Sequence, residues 1–430
     1  MKHLSILLFS ILIASCVTTG DPRPGPVSLT DGDPGTVGMS GERLERIDKM
    51  ILKAIESGEI PGAVALVARH GKIVYYNAFG TADVSTGREF ARDDIFRIAS
   101  QTKAITSTAV MMLWEEGLFR LDDPISRYIP EFSKTGVLDT FNEADSSFTI
   151  RPPETPVTVR HLLTHTSGIG YGMIDPDDRF RKIYARAGII DAFTTKPVTI
   201  EENIKKLAGL PLHHNPGAKF TYSEGLDVLG YFIELMSGMP LDRFFQEKIF
   251  EPLGMNDTYF YLPESKYERL VPVQTKENGE LKVLGITGEY DPDYPVKGAR
   301  TFFAGGAGLS STAKDYATFL QMYLNKGELN GHRLLSRTTV EFMMANQVGD
   351  LFWDNGEYFG LAFSVLNQKG EDMGGRGSKG TFQWGGYFNT QYFADPEEEL
   401  IGIIMKQTYR TGPDNTGWKF RLLTGQAIDD

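Results

Sequence analysis

Runs that favour β-strands lie at both ends of this 430-residue chain, and helices and loops fill the long stretch between them. The runs fall at residues 63–69, 72–79, 380–386, 390–394 and 400–407. Strands at both ends with helices between them favour one antiparallel sheet built from both termini, flanked by helices, with the middle inserted as a separate lobe. We therefore expect an α+β fold whose body spans residues 39–425 and whose all-helical lobe spans about residues 122–300.

The first residues of the chain resemble a secretory signal. Lys2 and His3 precede an apolar run at residues 4–14, which is too short to cross a bilayer because a spanning helix needs about 20 residues. Small residues then precede Cys16, as in bacterial lipoprotein signals, in which the cysteine is lipidated and becomes the mature N-terminus. This resemblance implies a signal peptide over residues 1–15 and a lipid anchor at Cys16. The alternative is an ordinary signal peptide cut nearby, with Cys16 incidental.

The stretch that follows is rich in Pro, Gly, Asp and Thr and has almost nothing to bury. Residues 16–38 are therefore predicted to form a flexible tether between the anchor and the body. Val17 follows the cysteine, which leaves sorting to an outer membrane open. These features predict an exported protein of the cell envelope whose membrane contact is made through the N-terminal lipid anchor alone.

Composition argues against several other classes of protein. A net charge of -12 disfavours nucleic acid as a partner, because a phosphate-binding surface needs a basic face. One cysteine cannot form an internal disulfide. None of the seven histidines lies in a His-Glu-x-x-His run, so neither a metal nor another cofactor is expected.

The motif Ser-x-x-Lys, which places a serine and a lysine one helical turn apart, occurs twice, at Ser100–Lys103 and Ser311–Lys314. Because such matches also arise by chance, the surrounding sequence has to indicate which of the two is functional. Ser100 follows a predicted strand at residues 95–99 and precedes residues 104–118, an apolar stretch that predicts a buried helix. A lysine buried there can be neutral and take a proton from the serine. Ser311 precedes an amphipathic helix and is better explained as its cap.

Two further motifs follow Ser100 along the chain. A tyrosine motif contains Tyr222, and a short strand motif contains Trp384, Gly385 and Gly386. Two further stretches belong to the same pattern, at residues 161–168 and 249–255. Together they resemble the serine β-lactamases, the penicillin-binding proteins and the esterases related to class C β-lactamases, over roughly residues 40–410. The resemblance implies the β-lactamase/transpeptidase-like fold.

The chain departs from the β-lactamase pattern at two positions. The tyrosine motif usually reads Tyr-x-Asn, and here Glu224 replaces the asparagine. The strand motif usually begins with lysine, which helps to bind the carboxylate of penicillins, and here it begins with Trp384. Both changes favour neutral esters over lactams, and the Trp-Gly-Gly form looks like the family VIII bacterial carboxylesterases.

The resemblance implies a role for each site residue. Ser100 is the nucleophile, Lys103 its base and Tyr222 the group that passes a proton to the leaving alkoxide. The oxyanion is expected between the backbone N–H groups of Ser100 and Tyr387, and Trp384 is expected to contact the substrate. His161 and His165 are predicted to orient a loop without taking part in the reaction.

The leading hypothesis is a serine hydrolase that cleaves small or medium carboxylic esters through an acyl-enzyme. An acyltransferase, a β-lactamase and a D-amino-acid peptidase are alternatives with the same fold. An alternative of another class is a non-catalytic binding protein anchored to the envelope. The sequence leaves the natural substrate, the acyl length and the oligomeric state open.

Overall fold

The computed structural model describes residues 28–287, 290–353 and 355–430. Its α-helices are α1 (Gly41–Glu56), α2 (Thr102–Glu115), α3 (Val159–Leu163), α4 (Asp178–Ala187), α5 (Ile200–Ala208), α6 (Gly225–Ser237), α7 (Leu241–Phe245), α8 (Glu251–Leu253), α9 (Tyr294–Lys297), α10 (Ala313–Leu324), α11 (Arg337–Met344), α12 (Gln368–Asp372) and α13 (Thr416–Gly425).

The strands are β1 (Thr30–Asp31), β2 (Gly62–Arg69), β3 (Lys72–Asp83), β4 (Arg88–Glu89), β5 (Phe96–Arg97), β6 (Val137–Phe141), β7 (Phe148–Arg151), β8 (Gln274–Glu277), β9 (Glu280–Val283), β10 (Ser310–Ser311), β11 (Glu328–Leu329), β12 (His332–Arg333), β13 (Glu357–Phe359), β14 (Ser364–Leu366), β15 (Phe382–Gly386), β16 (Thr390–Asp395), β17 (Leu400–Met405) and β18 (Thr408–Tyr409).

One central sheet joins the two ends of the chain. Its strands run in the order β1-β3-β2-β17-β16-β15-β14-β13, and β4 pairs with β3. The ends meet where β17 pairs antiparallel with β2, with Leu400 opposite Arg69 and Met405 opposite Val64. This arrangement confirms the expected sheet built from both termini and the α+β class.

Helices cover both faces of the sheet. Strand β2 is buried along its whole length because alternate residues enter different cores. Val64 and Leu66 pack with residues of α2, α10 and the helical lobe, whereas Ala65 and Val67 pack with α1 and α13. Helix α2, which carries the candidate base, therefore lies in the largest core, between the sheet and the lobe.

The N-terminal part of the body is as predicted from Ser40 onward but not before it. Ser40 caps α1 by accepting a hydrogen bond from the N–H of Arg43 (3.3 Å). The predicted tether, residues 16–38, extends too far, because β1 pairs parallel with β3 and Val37 is buried. Edge pairing uses backbone groups, which composition does not reveal, and the Arg69 guanidinium also donates to the carbonyl of Val37 (2.9 Å). Residues 1–27, including the predicted signal peptide and Cys16, lie outside the described residues.

The inserted lobe is mainly helical but not all-helical as predicted. It also contains the hairpins β6–β7 and β8–β9, and β18 adds a third strand beside β8. β6, β7 and β9 are only four or five residues long, and apart from Val137 their residues are exposed or half-buried, so they bury too little to give a clear sequence signal. Helix α13 was also not predicted. Over the described ranges, no helix has the length and apolar character that crossing a bilayer requires.

Candidate active site

Ser100 lies at a strained turn between a short strand and a buried helix. The strand β5 pairs with β10 and is shorter than predicted, and α2 begins at Thr102 after a single 3₁₀ turn. Ala99 has a left-handed backbone (φ 43°), a conformation that costs free energy in a residue with a side chain. Ile98, Ala99 and Gln101 are buried, whereas Ser100 is partly exposed. The turn thus presents one serine to the cleft.

Lys103 is buried beneath Ser100, with only 3% of its surface exposed. Its Nζ donates to the Ser100 Oγ (3.3 Å), to the Tyr171 hydroxyl (2.8 Å) and to the carbonyl of Gly306 (2.7 Å). Three acceptors around one terminal nitrogen leave the side chain a single orientation. The geometry agrees with the predicted pairing of nucleophile and base.

Tyr222 closes the other side of the site. Its ring centroid lies 4.8 Å from the Lys103 Nζ and 5.7 Å from the Trp384 ring. Its hydroxyl finds no hydrogen-bond partner among the described residues, and the side chain borders the same cavity as Ser100. The structure therefore brings Tyr222 next to the predicted base through its ring and leaves its hydroxyl available to a bound substrate.

Tyr171 is a site residue that the sequence analysis missed. It lies in the loop after the predicted 161–168 stretch, and its N–H donates to Asp175 (2.9 Å). Burial and nearby carboxyl groups raise the pKa of Tyr171 well above its usual range, so the hydroxyl keeps its proton and accepts a hydrogen bond from Lys103. The one sequence signal that could have identified Tyr171 is its position, three residues after the end of the 161–168 stretch.

Replacing Tyr171 by phenylalanine is expected to lower kcat/KM for an ester about tenfold, because Lys103 loses one of its three acceptors while the ring still packs. Steady-state kinetics with a chromogenic ester measure the effect. Tyr323→Phe is the matched control. The buried Tyr323 hydroxyl hydrogen-bonds Thr108, which lies on α2 like Lys103 but away from the site. Equal losses in both variants would mean that Tyr171 acts only through stability.

The residues of the predicted oxyanion site lie where β15 meets the Ser100 turn. A Cβ placed on Gly386 would lie 2.4 Å from the carbonyl oxygen of Ile98, so the strand and the turn touch backbone to backbone. Tyr387 follows directly. Within the described ranges, the N–H groups of Ser100 and Tyr387 donate to no protein acceptor. Free N–H groups at these two residues meet one requirement of the predicted oxyanion site.

Gly386→Ala is expected to lower kcat/KM at least about 100-fold, because the added methyl group forces β15 away from Ile98 and displaces the Tyr387 amide. Gly41→Ala is a suitable control, since a Cβ at Gly41 meets nothing within 4 Å. Ester kinetics and a thermal melt are measured together. A Gly386→Ala protein with the activity of the parent would show that this contact does not position the oxyanion donors.

A cavity of about 730 Å³ opens from Ser100 along β15. Trp384 forms one wall and packs against Tyr222 and Phe359. Trp353, which is 60% exposed, lies at the rim. Charged groups also border the cavity, and among them Glu357 and Arg376 form an ion pair with each other. The walls near Trp384 are therefore suited to an apolar acyl or alcohol group.

Glu224 differs from its predicted behaviour. We expected an ionised side chain that is unable to donate, but the carboxyl group is fully buried. Burial raises the pKa of Glu224 well above its usual range, and the nearby Asp191 and Asp227 raise it further. The neutral form of Glu224 is therefore favoured beside Asp191, beneath the site. It does not border the cavity.

The two histidines of the 161–168 stretch have positioning roles, as predicted. The His165 Nδ1 lies 3.0 Å from the Ser223 Oγ, and its carbonyl accepts the N–H of Thr221 (2.7 Å), which fixes the segment before Tyr222. Burial, assisted by the charge of Lys103, lowers the pKa of His165 well below its usual value, so the ring is neutral. His161 completes a capping box with Thr158 at the start of α3.

The second Ser-x-x-Lys match forms no site. Ser311 lies in β10 and its Oγ hydrogen-bonds Thr258 (2.8 Å), whereas Thr312, not Ser311 as expected, caps α10. Lys314 is exposed. The predicted choice of Ser100 over Ser311 agrees with this arrangement.

Comparison with known proteins gives the family. The profile of the family described as Beta-lactamase matches residues 47–426. Esterase EstB of Burkholderia gladioli is 32% identical over 397 residues, covering 88% of this chain and 94% of EstB. Lovastatin esterase of Penicillium rubens is 31% identical over 383 residues, covering 83% and 91% of the two chains. The solved structure of EstCE1, a hydrolase with promiscuous acyltransferase activity, has a TM-score of 0.75 and 28% identity, covering 90% of this chain and 99% of EstCE1. The chain belongs to the β-lactamase family and is a serine hydrolase with esterases among its relatives.

Proposed function

We propose that this protein hydrolyses neutral carboxylic esters through an acyl-enzyme on Ser100. The Ser100 oxygen attacks the acyl carbon as Lys103 takes the hydroxyl proton, and the carbonyl electron pair moves to the oxygen held by the N–H groups of Ser100 and Tyr387. As the tetrahedral intermediate collapses, the bond to the alcohol oxygen breaks and Tyr222 donates its proton to the leaving alkoxide. Lys103 then reprotonates Tyr222.

Water completes the cycle. A water molecule attacks the acyl carbon and gives its proton to the Lys103 and Tyr222 pair, and the bond to the Ser100 oxygen breaks as that oxygen is reprotonated. The products are a carboxylic acid and an alcohol. The observation that carries this proposal is the 3.3 Å contact between the Lys103 Nζ and the Ser100 Oγ. Ser100 borders the cavity, and Lys103 lies beneath Ser100.

The preference for esters over lactams rests on Trp384. In the β-lactamase pattern this strand position holds a lysine that attracts a carboxylate, whereas the indole offers an apolar face and one N–H donor. Trp384 packs edge-on against Phe359, and Phe359 in turn packs against Phe220 and Phe352, so an apolar cluster supports the indole from behind. The names of EstB and lovastatin esterase point the same way.

Parallel assays of p-nitrophenyl butyrate and a chromogenic cephalosporin test the substrate class. We expect kcat/KM for the ester to exceed that for the cephalosporin at least about 100-fold, the discrimination that loss of one desolvated charge–charge contact produces. Trp384→Lys is the informative variant, since it should narrow this ratio by favouring the anionic lactam. Dominant cephalosporin turnover by the parent would overturn the proposal and indicate a β-lactamase.

We further propose that the protein is exported and lipid-anchored at Cys16, on the strength of the apolar run at residues 4–14 and the single cysteine after it. The protein would then act on its small-molecule ester substrate in the cell envelope. Expression of the full chain with radiolabelled palmitate in a bacterial host tests the anchor. Label is expected on the parent and absent from Cys16→Ala, and an equally unlabelled parent would favour an ordinary signal peptide.

A further inference from the structure

A cluster of carboxyl groups lies behind the lysine that faces Ser100. Asp227 and Glu224, at the start of α6, are both almost fully buried, and Asp191 reaches them from the loop before α5. None of the three borders the cavity that contains Ser100. A substrate therefore does not account for them, and the steps proposed above do not use them.

Asp227 is connected to Lys103 through one peptide group. The N–H of Gly306 donates to the Asp227 Oδ1 (2.9 Å), and the carbonyl of the same Gly306 accepts from the Lys103 Nζ (2.7 Å). The approach is so close that a Cβ on Gly306 would lie 2.2 Å from the Asp227 Oδ2. This residue therefore has to be glycine, and the carboxylate fixes the carbonyl that holds the lysine.

The charges around Lys103 single out Asp227. The three groups that accept from Lys103 are neutral: the Ser100 and Tyr171 hydroxyls and the Gly306 carbonyl. The rings of Tyr222 and His165 also face it, and both Tyr171 and His165 are held neutral by burial. Burial raises the pKa of Glu224 well above its usual range, which favours its neutral form.

Burial raises the pKa of Asp227 to about 6, and the positive charge of Lys103 opposes that rise. Asp227 is thus an anion at neutral pH. The next carboxyl group, Asp191, acts on Asp227 as a like charge and also raises the pKa of Glu224. Of the described carboxyl groups, Asp227 is the one tied to Lys103 through a shared hydrogen-bonded peptide.

We propose that Asp227 is a positioning residue for the reaction: through Gly306 it orients Lys103, and its negative charge stabilises the ammonium form that Lys103 adopts on taking the Ser100 proton. This inference rests on the proposed function in that Lys103 is taken to be the base. This charge favours proton transfer from Ser100, and it is lost where Asp227 becomes protonated, which gives the activity profile an acidic limb.

The pH dependence of Ser100 labelling by a fluorophosphonate tests the inference without any ester substrate. Labelling rates of the full chain are followed by intact mass across the pH range in which the protein stays folded. Asp227→Asn keeps an acceptor for the Gly306 N–H but removes the charge. We expect its acidic limb to move about one unit to lower pH and its plateau rate to fall about tenfold.

Glu224→Gln is the matched control, since it replaces a neutral carboxyl group by a neutral amide in the same cluster. The acidic limb of the Glu224→Gln labelling profile is expected to stay at the pH of the parent. An Asp227→Asn limb that also stays at the pH of the parent would overturn the inference, whatever the plateau rate. Should Asp227→Asn fail to fold, the smaller Asp227→Ser, which still offers an acceptor, is expected to show the same shift.

The outcome for the parent separates this inference from the proposed function. Labelling that is lost in Ser100→Ala establishes the nucleophile whether or not Asp227 matters. A parent that is not labelled, or labelling that persists in Ser100→Ala, would instead defeat the proposed function and this inference with it.

Discussion

Ser100→Ala is expected to abolish ester hydrolysis, with kcat/KM falling about 10⁴-fold or more. The variant keeps the cavity and both predicted oxyanion donors, but it has no oxygen to attack the acyl carbon, and what remains is the modest acceleration that binding and the oxyanion site provide. Because Ser100 is the partly exposed residue of an otherwise buried turn, removing its hydroxyl should change stability little. Initial rates with p-nitrophenyl butyrate and a thermal melt measure both quantities.

Ser311→Ala is the matched control for that loss. It removes a hydroxyl from the second Ser-x-x-Lys match, where Ser311 is buried in β10 and bonded to Thr258. Its kcat/KM should stay near that of the parent. Activity that survives Ser100→Ala, or that disappears equally in Ser311→Ala, would contradict the assignment of the nucleophile.

Lys103→Met is expected to lower kcat/KM about 10³-fold, the size of effect that loss of a positioned general base produces. Methionine fills a similar volume, so the lost function is proton transfer from Ser100 rather than packing. Lys103→Arg should not restore activity, since a guanidinium stays protonated and cannot accept the proton. Ester kinetics for the two variants are compared with those of the parent.

Lys314→Met is the control here, because Lys314 occupies the same place in the second match but is exposed. Its kinetics should match those of the parent. Removing the Lys103 charge also leaves Asp227 without its cationic neighbour, so Lys103→Met is expected to raise the pKa of Asp227 above its value of about 6. A Lys103→Met enzyme that retains most of the parent activity at neutral pH would exclude Lys103 as the base.

The parts of the fold that the sequence predicted well are those driven by burial. The runs at residues 63–69, 390–394 and 400–407 are apolar because β2, β16 and β17 form the centre of the sheet. The hairpins of the lobe and strand β1 lie at edges and are held by backbone hydrogen bonds, which side-chain patterns do not report. The predicted tether failed over residues 28–38 for the same reason.

Some residues of the candidate site could likewise be predicted from the sequence and others could not. Ser100, Lys103, Tyr222 and Trp384 lie in short motifs, so their order along the chain was enough to predict that they meet. Tyr171 reaches Lys103 from a loop whose path depends on tertiary contacts, among them the bond from its N–H to Asp175. The acidic residues beneath the site were missed or misjudged because charge state depends on burial, which a sequence does not state.

Trapping the acyl-enzyme tests directly whether Ser100 carries the acyl group. The parent is mixed with a p-nitrophenyl ester, quenched in acid within the first turnover, digested and analysed by mass spectrometry. We expect the acyl group on the peptide that contains Ser100, with no such adduct in Ser100→Ala. Rapid ester turnover with no adduct at Ser100, or an adduct on another side chain, would contradict the mechanism.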